Sequence, residues 1–215
     1  MPPEPPRTPF PSGEPYWYWL GGRPALDFVN TRRERWRGNI ECLRSPADLA
    51  EWLRQAELLA APGRASRARL VAAIELREAI DAGVRAVVTA EPPAPAALAV
   101  VDHWLGMAEA RPALLPGPDG LPQLGAHAPE DPLAAALGAL ALDAARMLGR
   151  PAERDRIRIC GSVTCAARFY DRSPAARRRW CSMALCGNVA KARRHRARAA
   201  PTLPDLRAKG AYAHE

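Results

Sequence analysis

Residues 159–198 read ICGSVTCAARFYDRSPAARRRWCSMALCGNVAKARRHRAR, and the architecture follows from the four cysteines in this stretch. Cys160 with Cys165 and Cys181 with Cys186 form two C-x4-C pairs, separated by fifteen residues. The fifth cysteine, Cys42, lies far away and reads as a small packed residue. That is too few cysteines for a disulfide framework, so the pairs read as metal ligands. Zinc is the default occupant, because it takes four thiolates in a closed tetrahedron. Such a site builds structure and leaves no position for substrate. An iron–sulfur cluster would use the same four thiolates, and four buried core cysteines or a redox pair are the blander readings.

Spacing also constrains local geometry. Residues five apart on an α-helix differ by about 500°, roughly 140° past a full turn, so Cys181 and Cys186 cannot both face one ion from within a helix. Cys181 is therefore expected on the turn leading in, with Cys186 in the first helical turn and residues 187–198 as an Ala-, Arg- and Lys-rich helix. Between the pairs, residues 168–180 carry aromatics at both ends and Asp-Arg-Ser-Pro in the middle, which predicts a hairpin. Knuckle, hairpin and ligand-bearing helix make a treble-clef-like plan.

Charge is concentrated in the same place. From residue 154 to 198 there are thirteen Lys or Arg against two acids, a net of +11; the chain carries +8, so the remainder is −3. A basic module of this kind calls for a polyanion, and nucleic acid fits best. Lys191, Arg194 and Arg198 recur at three- and four-residue spacing on one face of the predicted helix, flanked by Arg193 and Arg196. Arg177, Arg178 and Arg179 belong to the predicted hairpin. Any one of these arginines reads more simply as a solvated surface charge; the set is harder to dismiss. DNA is the leading partner, with RNA or an acidic protein surface as the alternative. A single small module contacting a long site calls for a homodimer or a second contact.

The stretch from residue 179 to 198, with the upstream cysteines and Phe169-Tyr170-Asp171 between, resembles the CGNR zinc-finger family. In that family the module follows a domain called ABATE, described as a stress-induced transcription regulator. Gly21-Gly22 followed by LDFVNT at residues 26–31 resembles the opening of that domain. The resemblance implies zinc at Cys160, Cys165, Cys181 and Cys186, and implies DNA binding. One departure is plain: Val189 stands where the name-giving motif has arginine.

Elsewhere, seven prolines in residues 1–15 mark a disordered leader with no apolar signal segment. A domain over residues 16–150 follows, then the zinc module over residues 154–200 and an unassigned tail over residues 201–215. Ser45-Pro46-Ala47-Asp48 predicts a helix start, and Pro62-Gly63 its stop. Apolar periodicity predicts further helices opening near Ser66, through Leu98 to Met107, and from Asp131-Pro132 to Gly149, with a loop or hairpin turn between the last two. Reading LDFVNT as a strand gives an α+β fold: a mainly helical domain with a small sheet, then the zinc domain. Asp27, Asn30 and Thr31 are either polar anchors at a small-molecule effector pocket or structural caps, and the second reading is preferred. The chain has no Walker loop, no G-x-S-x-G and no H-E-x-x-H, so an enzyme is not expected. The expected place is the cytoplasm, at the nucleoid, with no membrane contact.

Overall fold

A computed structural model describes residues 17–60, 64–108, 112–127 and 129–199. The expectations for the leader and for the tail lie outside these residues; the helix expected to stop at Pro62-Gly63 ends earlier, at Gln55. The helices begin where short polar side chains can take orphan backbone donors. Helix α2 (Pro46–Gln55) opens with a reciprocal capping box, Asp48 N–H donating to Ser45 Oγ at 3.2 Å and Ser45 N–H to Asp48 Oδ2 at 2.7 Å. Ser66 caps α3 (Arg67–Thr89) by accepting from Arg69 N–H at 3.1 Å, and Asp131 caps α5 (Pro132–Gly149) through Ala134 N–H at 2.9 Å. Helix α4 (Pro95–Leu105) starts on a proline, whose missing N–H costs nothing at that position.

These helices close over one core in which Phe28, Leu49, Trp52, Leu53, Leu76, Ile80, Leu137 and Leu140 are fully buried. Trp52 stacks on Trp19 at 5.4 Å between centroids and meets Phe28 at 5.1 Å. Helix α5 is long and apolar enough by composition to cross a bilayer. Its Leu137, Leu140, Ala141, Ala144 and Met147 are instead completely enclosed by the other helices.

The LDFVNT segment departs from expectation. It is not a strand: Pro24–Val29 is a short helix, α1, with Asn30 as its C-cap, and the strand that follows, β1 (Arg32–Arg33), pairs only with β2 (Ile40–Glu41). Pro24 supplies the helical φ at the first position, and Ala25, Leu26, Phe28 and Val29 are all buried on helical spacing. The turn expected after α4 is the hairpin of β3 (Pro112–Pro116) and β4 (Pro122–Ala126), closed around Gly117-Pro118-Asp119-Gly120. After α5 come a one-turn helix α6 (Pro151–Arg154) and a third antiparallel pair, β5 (Ile157–Ile159) with β6 (Arg168–Tyr170). The hairpin of the cysteine module therefore straddles Cys160 and Cys165. The turn expected at Asp171–Pro174 is present, around a buried Asp171, but residues 175–180, expected as the second strand after it, carry no strand. A π-helical turn (Met183–Gly187) leads into α7 (Asn188–Ala199).

Candidate metal centre and its basic surroundings

The Sγ atoms of Cys160, Cys165, Cys181 and Cys186 all lie within 4.8 Å of one another. Cys165 to Cys181 is 3.7 Å and Cys181 to Cys186 is 3.8 Å. A tetrahedron with Zn–S bonds of about 2.3 Å has sulfur–sulfur edges of about 3.8 Å. The donor set therefore fits zinc, and the separations are far beyond a disulfide bond of about 2.05 Å. Thiols this close ionise unequally: hydrogen bonding with Cys165 holds Cys160 far below the usual thiol range, and hydrogen bonding with Cys160 pushes Cys181 far above it. A dication among them resolves the conflict, with all four sulfurs bound as thiolates. The zinc is structural, because four protein ligands close the tetrahedron. Cys42 lies outside this cluster, and its burial pushes its thiol up to about 11.

Each ligand is placed by local chemistry. Cys160 follows β5 and donates its N–H to Ala167 O at 2.8 Å, while Ala166 takes a left-handed φ of 71° to fold the knuckle back. Ser182 caps the π-helical turn by accepting from Leu185 N–H at 3.3 Å, which presents Cys186 toward the other sulfurs. A Cβ at Gly187 would lie 2.6 Å from Met183 Sδ and 3.2 Å from Trp180 Cδ1, so any larger residue there has to push the Met183 side chain aside.

The arginines divide into two groups. Arg178 is a brace, its N–H donating to Asp171 Oδ2 and its guanidinium to Cys181 O, both at 2.7 Å, with Phe169 under it at 5.3 Å. Arg156 donates to the carbonyls of Asp171 and Ser173, and Arg158 to that of Ala176. The key to this segment is Asp171, fully buried, which the sequence offered as a turn residue and within the Phe169-Tyr170-Asp171 resemblance but not as a buried anchor. Burial alone would raise its carboxyl, yet the N–H groups of Arg178 and Ser173 hold it below the ordinary range. In contrast, Arg177, Lys191, Arg193, Arg194 and Arg196 are exposed, with no ion pair or side-chain hydrogen bond among the described residues. Arg179 is exposed over the Trp180 ring at 5.2 Å. Arg198 lies on α7, its side chain outside the description. Val189, 56% exposed on the first turn of α7, lines a cleft of about 380 Å³ with Val163, Trp180 and Arg193.

Asp27, Asn30 and Thr31 form the joint between the two parts of the chain. Strand β6 uses Ala167 and Asp171 to close its ladder with β5, so the backbone of Arg168 and Tyr170 points to the free edge. The Asn30 amide meets that edge as a neighbouring peptide would, accepting from Arg168 N–H at 2.8 Å and donating to Arg168 O at 2.9 Å. Gly21 O accepts from Tyr170 N–H at 2.8 Å. Asp27 in turn accepts Gly21 N–H at 2.7 Å, and a Cβ on Gly21 would lie 2.7 Å from Asp27 N. Thr31 Oγ donates to Phe28 O at 2.7 Å and accepts from Arg77 at 3.2 Å. Desolvation pushes the Asp27 carboxyl up to about 7, despite the N–H groups of Gly21 and Leu20.

Behind this edge runs a charge network absent from the sequence reading. Arg168, 3% exposed, pairs with buried Asp81 at 2.6 Å. Arg35 bridges Asp81 and Glu78, and fully buried Arg77 grips Glu41 at 2.6 and 2.7 Å while also reaching Glu78. On the far side Arg23 holds Asp143 and Glu153, and Tyr170 OH donates to Glu153 at 2.9 Å.

Comparison with known families divides the chain at this joint. A family model described as "ABATE: Putative stress-induced transcription regulator" matches residues 22–151, and the CGNR zinc-finger model matches residues 156–199. No curated protein matches the chain.

Proposed function

The chain belongs to the ABATE family and carries a CGNR zinc finger behind that domain, and on this premise we propose that it regulates transcription by binding DNA through the basic face of the zinc module. The face consists of Arg177, Arg179, Lys191, Arg193, Arg194 and Arg196, extended along α7 by Arg198. The N-terminal domain senses a small molecule or mediates dimerisation, and neither part is assigned a catalytic role. The protein acts in the cytoplasm, at the nucleoid. One observation carries the reading: Lys191, Arg193, Arg194 and Arg196 on α7 are exposed and have no ion-pair partner among the described residues, no acid lies in residues 188–199, and the four-cysteine centre fixes the start of the helix. Unpaired, like-charged side chains on one short helix repel each other, and a phosphate backbone relieves that repulsion by releasing its own counterions.

The test is fluorescence anisotropy on duplex DNA across a salt series. Neutralising about five phosphates gives a slope of log K against log salt of about −4.5. The double change Lys191→Ala with Arg194→Ala is expected to reduce that slope by about 1.8, since each lost phosphate contact removes about 0.9. Affinity that is flat in salt, or that survives loss of zinc in Cys186→Ser, refutes the assignment.

A further inference from the structure

Helices α3, α4 and α5 do not close completely at the end nearest the zinc module. They leave a cavity of about 940 Å³, walled by Gly83, Val87, Leu98, Val101, Leu105 and Leu148. That volume lies at the upper end of the range that holds small organic ligands, and a wall of this composition gains about 25 cal/mol for each Å² of apolar surface covered. Leu98 stands 54% exposed at the lip, an unfavourable state for a leucine beside so large an apolar wall. Among the described residues, Glu91, Asp102 and Asp155 supply three carboxylates to the same cavity, against one cation, Arg154. Asp102 and Asp155 have no ion-pair partner among the described residues. An apolar interior with a net negative rim is complementary to a ligand that is greasy and positively charged. A fatty acid or an anionic metabolite would meet the wrong sign.

We propose that this cavity is the binding site for an amphiphilic organic cation, an apolar body of roughly ten carbons carrying an amine or quaternary ammonium group. Its position gives the ligand a consequence. Val87 and Leu148, two of its wall residues, also pack in the cluster formed by Leu26, Val84, Met147 and Ile157, with Tyr170 against it. Ile157 begins β5, which leads directly to Cys160, and Tyr170 ends β6. Arg154 and Asp155 border the cavity one and two residues after Glu153, which holds Tyr170 OH and Arg23. Filling the cavity therefore presses on the residues that seat the metal-bearing hairpin. Only this last consequence, a change in DNA affinity, rests on the regulator reading; occupancy of the cavity does not.

The experiment is calorimetric titration of the full-length zinc-loaded chain, without DNA, with decyltrimethylammonium below its micellar concentration and, separately, with decanoate. The cation binds with one-to-one stoichiometry and decanoate at least tenfold more weakly. Asp102→Asn and Asp155→Asn, both at exposed positions, each weaken the cation by about threefold, the size expected for a partly solvated charge contact. Leu98→Arg weakens it by at least tenfold, because the lip then carries a repelling charge. Equal binding of the two probes, no binding of the cation, or unchanged affinity in both Asp variants overturns the proposal. Salt-dependent DNA binding is measured in the same preparations. Its loss with the calorimetric result intact would remove the regulator reading and leave the site standing.

Discussion

The sharpest perturbation of this fold is Asn30→Ala. The Asn30 amide satisfies two backbone groups of Arg168, at 2.8 and 2.9 Å, and both residues are 3% exposed. Truncation leaves a buried N–H and a buried C=O without partners. Each unsatisfied group costs about 1–3 kcal/mol, so the joint loses about 2–5 kcal/mol once partial relaxation is allowed. For a chain whose total stability is of the order of 5–15 kcal/mol, that is a large fraction. The assay is urea denaturation at fixed free zinc, followed by tryptophan fluorescence and by release of metal to a chromogenic chelator. The variant is expected to release zinc at lower urea than the wild type, because the edge of β6 opens before the helical core does. The complementary fragment, residues 154–200 alone, is expected to bind zinc more weakly than the full chain, since Arg168 then loses both Asn30 and Asp81. A cost below about 0.5 kcal/mol for Asn30→Ala, within the range of an ordinary surface change, together with native zinc affinity in the fragment, would refute the argument that the two parts are one folding unit.

Two further outcomes follow from the same geometry. Asp27 has a folded pKa of about 7 against an ordinary 3.8, so the native state holds a proton that the unfolded chain has released. Its contribution is present below about pH 4 and is lost as pH rises to about 7, a decline of up to about 4 kcal/mol; Asp27→Asn, which keeps the acceptor for Gly21 N–H, should be more stable than wild type at pH 8 and equal to it near pH 4, as read by paired urea titrations. Val189→Arg puts a cation at an exposed position on the first turn of α7, and the anisotropy salt slope should steepen by about 0.9, the value for one added phosphate contact.

The metal centre was legible because ligand chemistry is local: four thiols in two equal spacings have few other uses. Helix starts at Ser45, Ser66 and Asp131 were legible for the same reason, as a cap is one side chain reaching two or three residues along its own chain. What the sequence hid is non-local. Nothing in LDFVNT distinguishes a strand from a six-residue helix until Pro24 and the burial of both Leu26 and Val29 are seen together. Asp171 looked like surface charge, because its burial depends on a turn closed by the N–H groups of Ser173 and Arg178. Arg168, Arg77 and Arg35 resemble any other arginines in a chain with so many. Apart from Glu78 beside Arg77, the acids they hold, Glu41 for Arg77, Glu78 for Arg35 and Asp81 for Arg168, lie from 36 to 87 residues away, beyond any sequence window.

That non-local joint changes what the zinc does. In an independent finger the ion supplies nearly all the order, and its loss unfolds the module alone. Here β6 is held from one side by Cys160 and Cys165 across the knuckle, and from the other by Asn30, Gly21 and Asp81. Removing metal therefore frees α7 and the Cys181–Cys186 turn first, while the β5–β6 hairpin keeps its edge bonds to the helical domain. The converse also holds: whatever shifts α1 against β6 displaces two of the four sulfurs relative to the other two, so strain in the helical domain reaches the basic helix through the metal. The two family matches meet between residues 151 and 156, inside the segment that carries Glu153. The boundary in sequence thus falls at a point of continuous contact between the helical domain and the zinc module.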